Sequence, residues 1–457
     1  MEREPATTTE DIKEELQRVE EELGRDRRGF LWFLKPNVWR LRSQRDALRT
    51  EVKRLKEEKK AKPKPPKAAP APAPAPSPPL ALSSEGIAVH DATLIITVSE
   101  IGDRHGTGVL LERIFRPAPD FIHVRARNLY DGQTAGALRI GLPPGTVATA
   151  NLPALLQGST VRRILSIPFD RCDVENTLAF HDATRAPLCV WLMDHNLGEG
   201  EHQIPRPMMK QLLDRAQLRL GISPEFCKLY GSEFGHEVHF APPVVDAALG
   251  QRTPLELPHE FLVPPTGVLL GNVWSQRWLK KLASTAAASG VPLVAFGHKA
   301  PPWVKQDALA AHVQTRGFLP EAELVAELRR HPFAVVPTGT LDAEDDLPEI
   351  ARYSLPSRTL YLSAVGNLPI IVVGHHDTGV ARFVTRHGLG VVVPHDGAAL
   401  RRAAHEICRP DQQLHFRRQA AGLAPSFACD DMLQWLWKSL DIGAPSDNRW
   451  RHLSGTD

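Results

Sequence analysis

Cysteine is scarce in this sequence, and its spacing excludes several kinds of site. The 457 residues include five cysteines, which lie far apart without a CxxC pair. Such a pattern argues against a disulfide framework or a zinc site and is typical of a reducing compartment. The net charge is only +2, from 55 basic and 53 acidic side chains. Because nucleic-acid binding favours a strongly basic surface, we expect no nucleic acid among the partners.

Long apolar runs are also missing. No run approaches the length of a transmembrane helix, and the N-terminal residues lack a signal-peptide pattern. We therefore expect a cytoplasmic protein. Hydrophobic residues make up 42% of the chain, which is enough for the cores of two or three domains.

The first 62 residues have the pattern of a helical coiled-coil tether. Apolar residues recur at heptad spacing in two short pieces, with charged residues between them. Self-association through residues 1–62 is therefore predicted. Residues 63–84 are rich in Pro and Ala, which predicts an extended, semi-rigid linker.

A basic and aromatic stretch, residues 24–42, interrupts the heptads. It interleaves arginines with Phe30, Trp32 and Trp39. One interpretation is peripheral contact with an anionic membrane surface on the inner face of the membrane. The other is packing of these aromatic residues within a helical oligomer or against the body of the protein.

The rest of the chain alternates predicted strands and helices in two halves. Residues 85–250 and 260–440 each read as repeated strand-helix-strand units, which predicts an α/β fold with two doubly wound, Rossmann-like domains facing a cleft. A flexible tail is predicted for residues 441–457. Residues 247–264, rich in Pro and without periodicity, read as the connection between the halves.

Two segments of the first half place polar residues at predicted strand ends. The first strand runs into a glycine-containing turn with Gly106 and Gly108 before a helix, an arrangement that lets backbone amides approach a phosphate. A later buried strand, residues 187–193, delivers Asp194 and His195 to its carboxyl end, where ligands of parallel sheets gather. The alternative is structural: Asp194 caps the next helix and His195 is a surface residue.

The most informative stretch is residues 353–394, YSLPSRTLYLSAVGNLPIIVVGHHDTGVARFVTRHGLGVVVP. Its two apolar runs, LPIIVVG and GLGVVVP, predict buried parallel strands. Ser357 and Arg358 begin a predicted helix before the first strand, and Thr378 and Gly379 begin another between the strands. Two helix starts and a guanidinium at one sheet edge favour the binding of an anion such as a phosphate.

This order of pieces, PSR-x-L, LPII, TGVARFV and GLGVVVP, resembles the donor-binding half of retaining glycosyltransferases of family 4, the group 1 set with the GT-B fold. The resemblance implies a metal-independent, hexosyltransferase-type enzyme that uses a nucleotide-sugar donor as substrate and no cofactor. It implies donor-binding roles for Gly106, Gly108, Arg277, Glu349, Ser357, Arg358, Thr378 and Gly379. It also implies that His195 relays a proton from an acceptor hydroxyl, while Asp194 orients His195 or binds the donor sugar.

The sequence departs from the family pattern at several positions. Asn272 stands where the family has an arginine that holds the diphosphate, and Arg277 stands in place of a lysine. The family often has two glutamates here, one of which binds the ribose and one the sugar, and their places hold Tyr353 and Tyr361 in this sequence. Glu349, one helical turn earlier, is the predicted substitute.

We therefore expect a glycosyltransferase that moves a sugar to a glycan, polysaccharide or lipid-linked acceptor with retention of configuration. The alternative from the missing glutamates is a catalytically inactive, glycosyltransferase-like binding or scaffold protein. A Rossmann-type oxidoreductase or epimerase is disfavoured because GxGxxG does not follow the first strand. The donor base and sugar, the acceptor and the pathway are not specified by these motifs.

Overall fold

The structure describes the body of the protein from residue 80 onward. The computed structural model describes residues 17–18, 80–103, 106–130, 132–256, 265–271, 273, 275–297, 312–428 and 430–454. From residue 80 onward these belong to one unit, Ser77–Asp457. The predicted coiled coil, apart from residues 17–18, and residues 63–79 of the predicted linker lie outside the described residues, as do Asn272 and Cys429.

The first half contains an eight-stranded sheet. Its strands are β1 (Ser83–Gly86), β2 (Ala92–Ile96), β3 (Phe121–Arg125), β4 (Leu138–Gly141), β5 (Val161–Ser166), β6 (Leu188–Leu192), β7 (Leu218–Gly221) and β8 (His239–Phe240). The spatial order is β1-β4-β3-β2-β5-β6-β7-β8, and every neighbouring pair is parallel except β1 with β4. The order of strands reverses between β2 and β5, and ligands of open α/β sheets bind at such a switch point.

The second half contains a six-stranded sheet whose strand pairs are all parallel. Its strands are β9 (Gly267–Leu270), β10 (Leu293–Phe296), β11 (Gln314–Gly317), β12 (Ala334–Pro337), β13 (Ile370–Val373) and β14 (Gly390–Val393). The spatial order is β11-β10-β9-β12-β13-β14, with the switch point between β9 and β12. The two predicted doubly wound α/β domains are thus confirmed.

Helices connect the strands in both halves. Those of the first half are α1 (Gly106–Phe115), α2 (Leu152–Leu155), α3 (Arg171–Thr184), α4 (Arg206–Arg215) and α5 (Pro224–Phe234). Those of the second half are α6 (Gln276–Ser289), α7 (Glu321–Leu328), α8 (Pro348–Tyr353), α9 (Ser357–Ala364), α10 (Gly379–Arg386), α11 (Gly397–Ile407), α12 (Pro410–Phe427), α13 (Met432–Ile442) and α14 (Arg451–Ser454).

Local sequence accounts for several of these boundaries. Ser223 caps α5, with its hydroxyl accepting from the Phe226 amide and Pro224 at the first helical position. Ser275 caps α6 in the same way, and that helix ends at Gly290 in the left-handed conformation. The strand β13 is fully buried because helices cover both faces of the sheet. These signals explain why the element types were predictable from the sequence.

The two halves share one apolar core, and the C-terminal helices reinforce it. A single cluster of buried side chains includes Trp191 of β6 and Val268 of β9. Trp437 of α13 returns to the first half, where its ring lies 6.0 Å from that of Phe115 and 4.6 Å from the Arg163 guanidinium. The cleft between the sheets therefore has a continuous apolar support.

Two predicted boundaries differ from the structure. Strand β1 begins at Ser83, inside the stretch predicted as linker. Residues 443–454, predicted as part of a flexible tail, are packed: Trp450 and Leu453 are buried, and the Trp450 indole donates to the Ser426 carbonyl at 2.8 Å. None of the described helices combines the length and apolar character needed to cross a bilayer.

Candidate active site

A cavity of about 1140 Å³ lies between the two sheets, at the carboxyl ends of their strands. Polar residues of the first half reach it directly after β6, and backbone of the second half reaches it after β9, β10 and β12. Of the ten predicted site residues, five line this cavity: Gly106, Asp194, His195, Ser357 and Arg358. Parallel strands bring their carboxyl ends to one edge, which is why residues distant in sequence meet here.

Asp194 is held at the centre of the cleft by the second half. Its Oδ1 accepts a hydrogen bond from the Ser354 hydroxyl at 3.1 Å, across 160 positions of sequence. The surrounding protein raises the pKa of Asp194 to about 6 by desolvation, against the lowering effects of Ser354 and of the Arg358 charge. The carboxylate is therefore mostly ionised at pH 7 but can accept a proton readily, as a catalytic base or orienting group requires.

Arg358 faces Asp194 from the first turn of α9. Its Nη1 donates to the Leu270 carbonyl at the end of β9, at 3.0 Å. Burial lowers the pKa of Arg358 to about 10, while the charge of Asp194 partly offsets this. The guanidinium remains a cation at neutral pH and has donors left for an anion in the cavity.

His195 lies in an aromatic pocket beside Asp194. Its ring packs edge-on against Phe226 and Tyr230, with centroid distances of 6.3 and 5.8 Å, and is 6.1 Å from the ring of Tyr353. Burial lowers the pKa of His195, so the imidazole is neutral at pH 7. The Nδ1 atom is buried and has no hydrogen-bond partner. A neutral imidazole at the cavity wall can accept a proton from a hydroxyl group.

The two glycines of the first turn have different surroundings. A Cβ on Gly106 would lie 3.0 Å from the Ser357 hydroxyl, so this position keeps the first half close to the start of α9. A Cβ on Gly108 would lie 2.1 Å from the Glu100 carbonyl oxygen. Gly108 is thus required for packing of α1 and does not line the cavity.

Glycines also open the edge of the second sheet. Gly271 and Gly297 follow β9 and β10 with φ of +74° and +150°, and both line the cavity. A Cβ on Gly297 would lie 3.1 Å from the Cα of Gly271. Only glycine satisfies this combination of backbone angle and close approach, so the cavity floor here is backbone.

The remaining four predicted residues lie outside the cavity lining. Arg277 contacts acidic residues instead: its Nη2 lies 3.2 Å from Asp342, and its Nη1 lies 2.7 Å from Glu344. Glu349 is exposed and lies 3.9 Å from Arg352, although its charge raises the pKa of His195 against the larger lowering effect of burial.

Thr378 and Gly379 do not line the cavity but pack against residues of the site. The Thr378 side chain is fully buried, and its hydroxyl donates to the His375 carbonyl at 2.9 Å. A Cβ on Gly379 would lie 2.7 Å from the Ser354 carbonyl oxygen. This contact sets the start of α10 directly against the residue that binds Asp194.

Sequence reasoning missed three polar residues that line or shape the cleft. Ser354 binds Asp194, and Arg113 of α1 pairs with Glu321 of α7 across the two halves. Ser354 stands in the short turn between α8 and α9, one residue after Tyr353, and carries no motif of its own. The pairing of Arg113 with Glu321 has no sequence signal because 208 positions separate them.

One group of potential metal ligands occurs among the described residues. His375, His376 and Asp377 have ligand atoms within 4.8 Å of one another. The three residues do not line the cavity, and the Nδ1 of His375 already accepts from the Asp377 amide at 3.1 Å. This group therefore has no contact with the candidate active site.

No protein-family model and no curated protein matches this sequence. Solved structures do match the fold. A sucrose-phosphate synthase from Thermosynechococcus elongatus is similar at 13% identity over 78% of this chain and 100% of that one, with a TM-score of 0.55. The trehalose-6-phosphate synthase OtsA matches at 9% identity over 78% and 100% of the two chains, with a TM-score of 0.51. A glycosyltransferase from Rickettsia africae matches at 12% identity over 81% and 100%, also with a TM-score of 0.51. Identity this low shows the fold alone, which is that of GT-B glycosyltransferases.

Proposed function

We propose that this protein transfers a sugar from a nucleotide-sugar donor to an acceptor hydroxyl in the cleft between its two halves. The observation that carries the proposal is the pair Asp194 and Arg358, a carboxylate and a cation from different halves that line one cavity. Asp194 accepts a hydrogen bond from Ser354, and Arg358 donates one to the Leu270 carbonyl. The fold shared with the solved glycosyltransferases and the resemblance of residues 353–394 to a donor-binding segment support it.

In this proposal the start of α9 binds the donor diphosphate. Arg358 supplies a charge, and the first two amides of the helix, those of Ser357 and Arg358, precede its first backbone hydrogen bond, in which the Thr359 amide donates to the Pro356 carbonyl at 2.9 Å. The Gly106 backbone approaches Ser357 closely because no side chain intervenes. As the bond to the sugar breaks, negative charge develops on the leaving diphosphate. A fixed cation in a partly desolvated cleft stabilises that charge more than water does.

His195 acts on the acceptor, which attacks the anomeric carbon from the face that the diphosphate leaves because the proposal includes retention, and Asp194 acts on the sugar. A neutral His195 accepts the proton of the acceptor hydroxyl as the oxygen attacks the anomeric carbon. Asp194, ionised at pH 7 and held by Ser354, accepts a hydrogen bond from the donor sugar. Retention of configuration and independence from a metal ion are part of the proposal through the family resemblance.

A nucleotide panel tests the proposal directly. Calorimetry with UDP, GDP, ADP, CDP and dTDP should reveal binding of at least one of them, and the matching sugar nucleotides should be hydrolysed slowly without an acceptor. Failure of all five to bind at millimolar concentration would refute the donor site. The Arg358→Gln variant is the control that locates binding in the cleft.

A catalytically inactive binding protein is the second candidate. Tyr353 and Tyr361 occupy the places of the two family glutamates, so the carboxylates that the resemblance requires are missing at those positions. Nucleotide binding without turnover across a donor and acceptor panel would favour this candidate. Turnover that depends on Asp194 would exclude it.

We also propose that residues 1–62 bring the body to its acceptor. Self-association of the predicted coiled coil, or contact of residues 24–42 with an anionic membrane surface, would place the cleft near a lipid-linked or polymeric acceptor. The Pro-rich linker would then let the body move relative to that anchor. A cytoplasmic location, at the inner face of the membrane, is part of this proposal.

A further inference from the structure

An aromatic stripe on helix α5 lies beside His195. Phe226, Tyr230 and Phe234 recur every four residues, so their side chains share one face of the helix, and all three are buried. The rings of Phe226 and Tyr230 stack with centroids 4.5 Å apart, and the ring of Phe234 lies 5.4 Å from that of Tyr230. The Tyr230 ring is therefore packed as a phenylalanine ring would be, and its hydroxyl is the polar group of the stripe.

That hydroxyl is buried and has no hydrogen-bond partner among the residues that the structure describes. Burial also raises the pKa of Tyr230, so the hydroxyl stays protonated at neutral pH. A buried hydroxyl without a partner destabilises the folded state, and phenylalanine at the same position would avoid that loss. The tyrosine thus needs an explanation that its ring packing does not supply.

His195 presents a second buried polar atom in the same condition. Its Nδ1 has no partner in the described part of the chain, and its ring meets that of Tyr230 edge-on, with centroids 5.8 Å apart. Burial lowers the pKa of His195 and raises that of Tyr230, and the charges of Glu233 and Arg206 act on both. Glu233 and Arg206 already bond to each other at 2.6 Å. The hydroxyl and Nδ1 therefore share one environment, and each can supply the partner that the other lacks.

We infer that Tyr230 is a positioning residue whose hydroxyl accepts, through one ordered water, the hydrogen bond of the His195 Nδ1–H group. A buried water needs at least two polar partners, and the hydroxyl and the imidazole provide them. A partner at Nδ1 fixes the proton of the neutral imidazole on that nitrogen, which leaves Nε2 as the acceptor. His195 lines the cavity and Nδ1 is its buried nitrogen, so Nε2 is the atom directed to a ligand.

The inference rests on the proposed function, in which His195 takes a proton from the acceptor hydroxyl. That proton goes to Nε2 as the acceptor oxygen bonds to the anomeric carbon, and the ring becomes a cation with a proton on each nitrogen. The hydrogen bond from Nδ1 strengthens as this charge develops. Tyr230 therefore assists turnover through His195 and does not contact the donor.

The test is a double-mutant cycle of Tyr230→Phe and His195→Ala in the full-length protein. Turnover is measured as hydrolysis of the sugar nucleotide that matches the diphosphate bound in the nucleotide panel. Tyr230→Phe should lower turnover about ten-fold with unchanged donor affinity, the effect of losing one hydrogen bond to a charged group. In the His195→Ala background the same change should have no further effect, because the hydroxyl acts through the imidazole. Ser232→Ala is the control, since it removes an exposed hydroxyl from the same helix and does not line the cavity.

Melting temperatures provide a second readout that needs no turnover. Phenylalanine keeps the ring packing of the stripe, so Tyr230→Phe should fold, but it leaves Nδ1 without its partner. The melting temperature should therefore fall by about 1–4 °C. In the His195→Ala background the hydroxyl has no partner to lose, and Tyr230→Phe should leave the melting temperature unchanged or raise it.

Three results would overturn the inference. An equal loss of turnover in both backgrounds would make Tyr230 a structural residue only. Unchanged turnover in Tyr230→Phe would show that the hydroxyl does not assist His195. A melting temperature that Tyr230→Phe leaves unchanged or raises, with His195 present, would show that the hydroxyl has no partner there. If the full-length protein binds and hydrolyses no sugar nucleotide of the panel, the proposed function fails, and the melting temperatures alone decide whether Tyr230 holds His195.

Discussion

Replacement of Arg358 by Gln gives the sharpest test of the proposed diphosphate site. The guanidinium is held by one hydrogen bond to the Leu270 carbonyl, and it keeps its charge because its pKa, although lowered by burial, is about 10. Loss of a hydrogen bond between a charged donor and a charged acceptor costs about 1.5–3 kcal/mol. The dissociation constant for a nucleoside diphosphate should therefore rise by about 10- to 150-fold.

The assay is isothermal calorimetry at pH 8 with the preferred diphosphate from the nucleotide panel. A pH above neutrality is needed because loss of the nearby cation removes one cause that lowers the pKa of Asp194. Arg352→Gln is the matched control, since this arginine is half-exposed, contacts Glu349 only at 3.9 Å and does not line the cavity. Arg277→Ala adds a comparison of the two predicted cations. Because Arg277 already contacts Asp342 and Glu344, we expect a smaller effect there.

Two outcomes would refute the reasoning about Arg358. The first is an affinity for the diphosphate that is unchanged in a folded Arg358→Gln variant, as judged by an unaltered melting temperature. The second is an equal loss of affinity for a nucleoside without phosphates. In that case Arg358 would support the shape of the cleft rather than hold an anion.

Five further predictions address the other parts of the molecule. His195→Ala should lower turnover about 100-fold or more with nearly unchanged donor affinity; an equal loss of donor affinity would make His195 a binding or structural residue. Turnover should rise with pH through an apparent pKa of about 6, the value for Asp194; a fall over the same range would contradict a role for its ionised form. The folded pKa of Asp194, about 6, is above the usual 3.8, so ionisation of this group opposes folding. The free energy of unfolding should therefore fall by up to about 3 kcal/mol between pH 4 and 8 because of Asp194. In Asp194→Asn, urea unfolding should show a fall that is smaller by this amount. Gly108→Ala should lower the melting temperature by several degrees, since a Cβ would lie 2.1 Å from the Glu100 carbonyl; an unchanged melting temperature would mean that α1 shifts freely. Deletion of residues 1–79 should preserve nucleotide binding but lower the number of subunits per particle in light scattering and reduce pelleting with anionic liposomes. An unchanged number of subunits together with unchanged pelleting would contradict the proposed anchor.

Periodicity and caps made the architecture predictable from the sequence. The strand β13 reads as LPIIVVG, and burial on both faces of a parallel sheet is the reason that such a run lacks polar residues. Ser223 and Pro224 marked the start of α5 in the sequence, and Gly290 marked the end of α6. Each of these signals involves only a few neighbouring residues, so the helix and strand boundaries can be predicted without knowledge of the tertiary structure.

Strand ends also predicted part of the site. Asp194 and His195 were predicted as site residues because they follow a fully apolar strand. Arg358 was predicted because it lies at the start of a helix that precedes a second apolar strand. The structure brings these three residues to one cavity. Arg277 was predicted from the family resemblance alone, and its guanidinium instead contacts acidic side chains of a loop more than 60 positions later.

By itself, then, the sequence determined the two α/β halves, their element types and the strand ends that carry Asp194, His195 and Arg358. Only the tertiary structure decided which polar groups meet across the cleft. Ser354 with Asp194 and Arg113 with Glu321 are separated by 160 and 208 positions, and both pairs depend on how the second half packs against the first. That packing follows from an apolar core shared by both halves. Burial of apolar surface is non-directional, so no local sequence pattern predicts which polar side chains will meet when the two halves pack together.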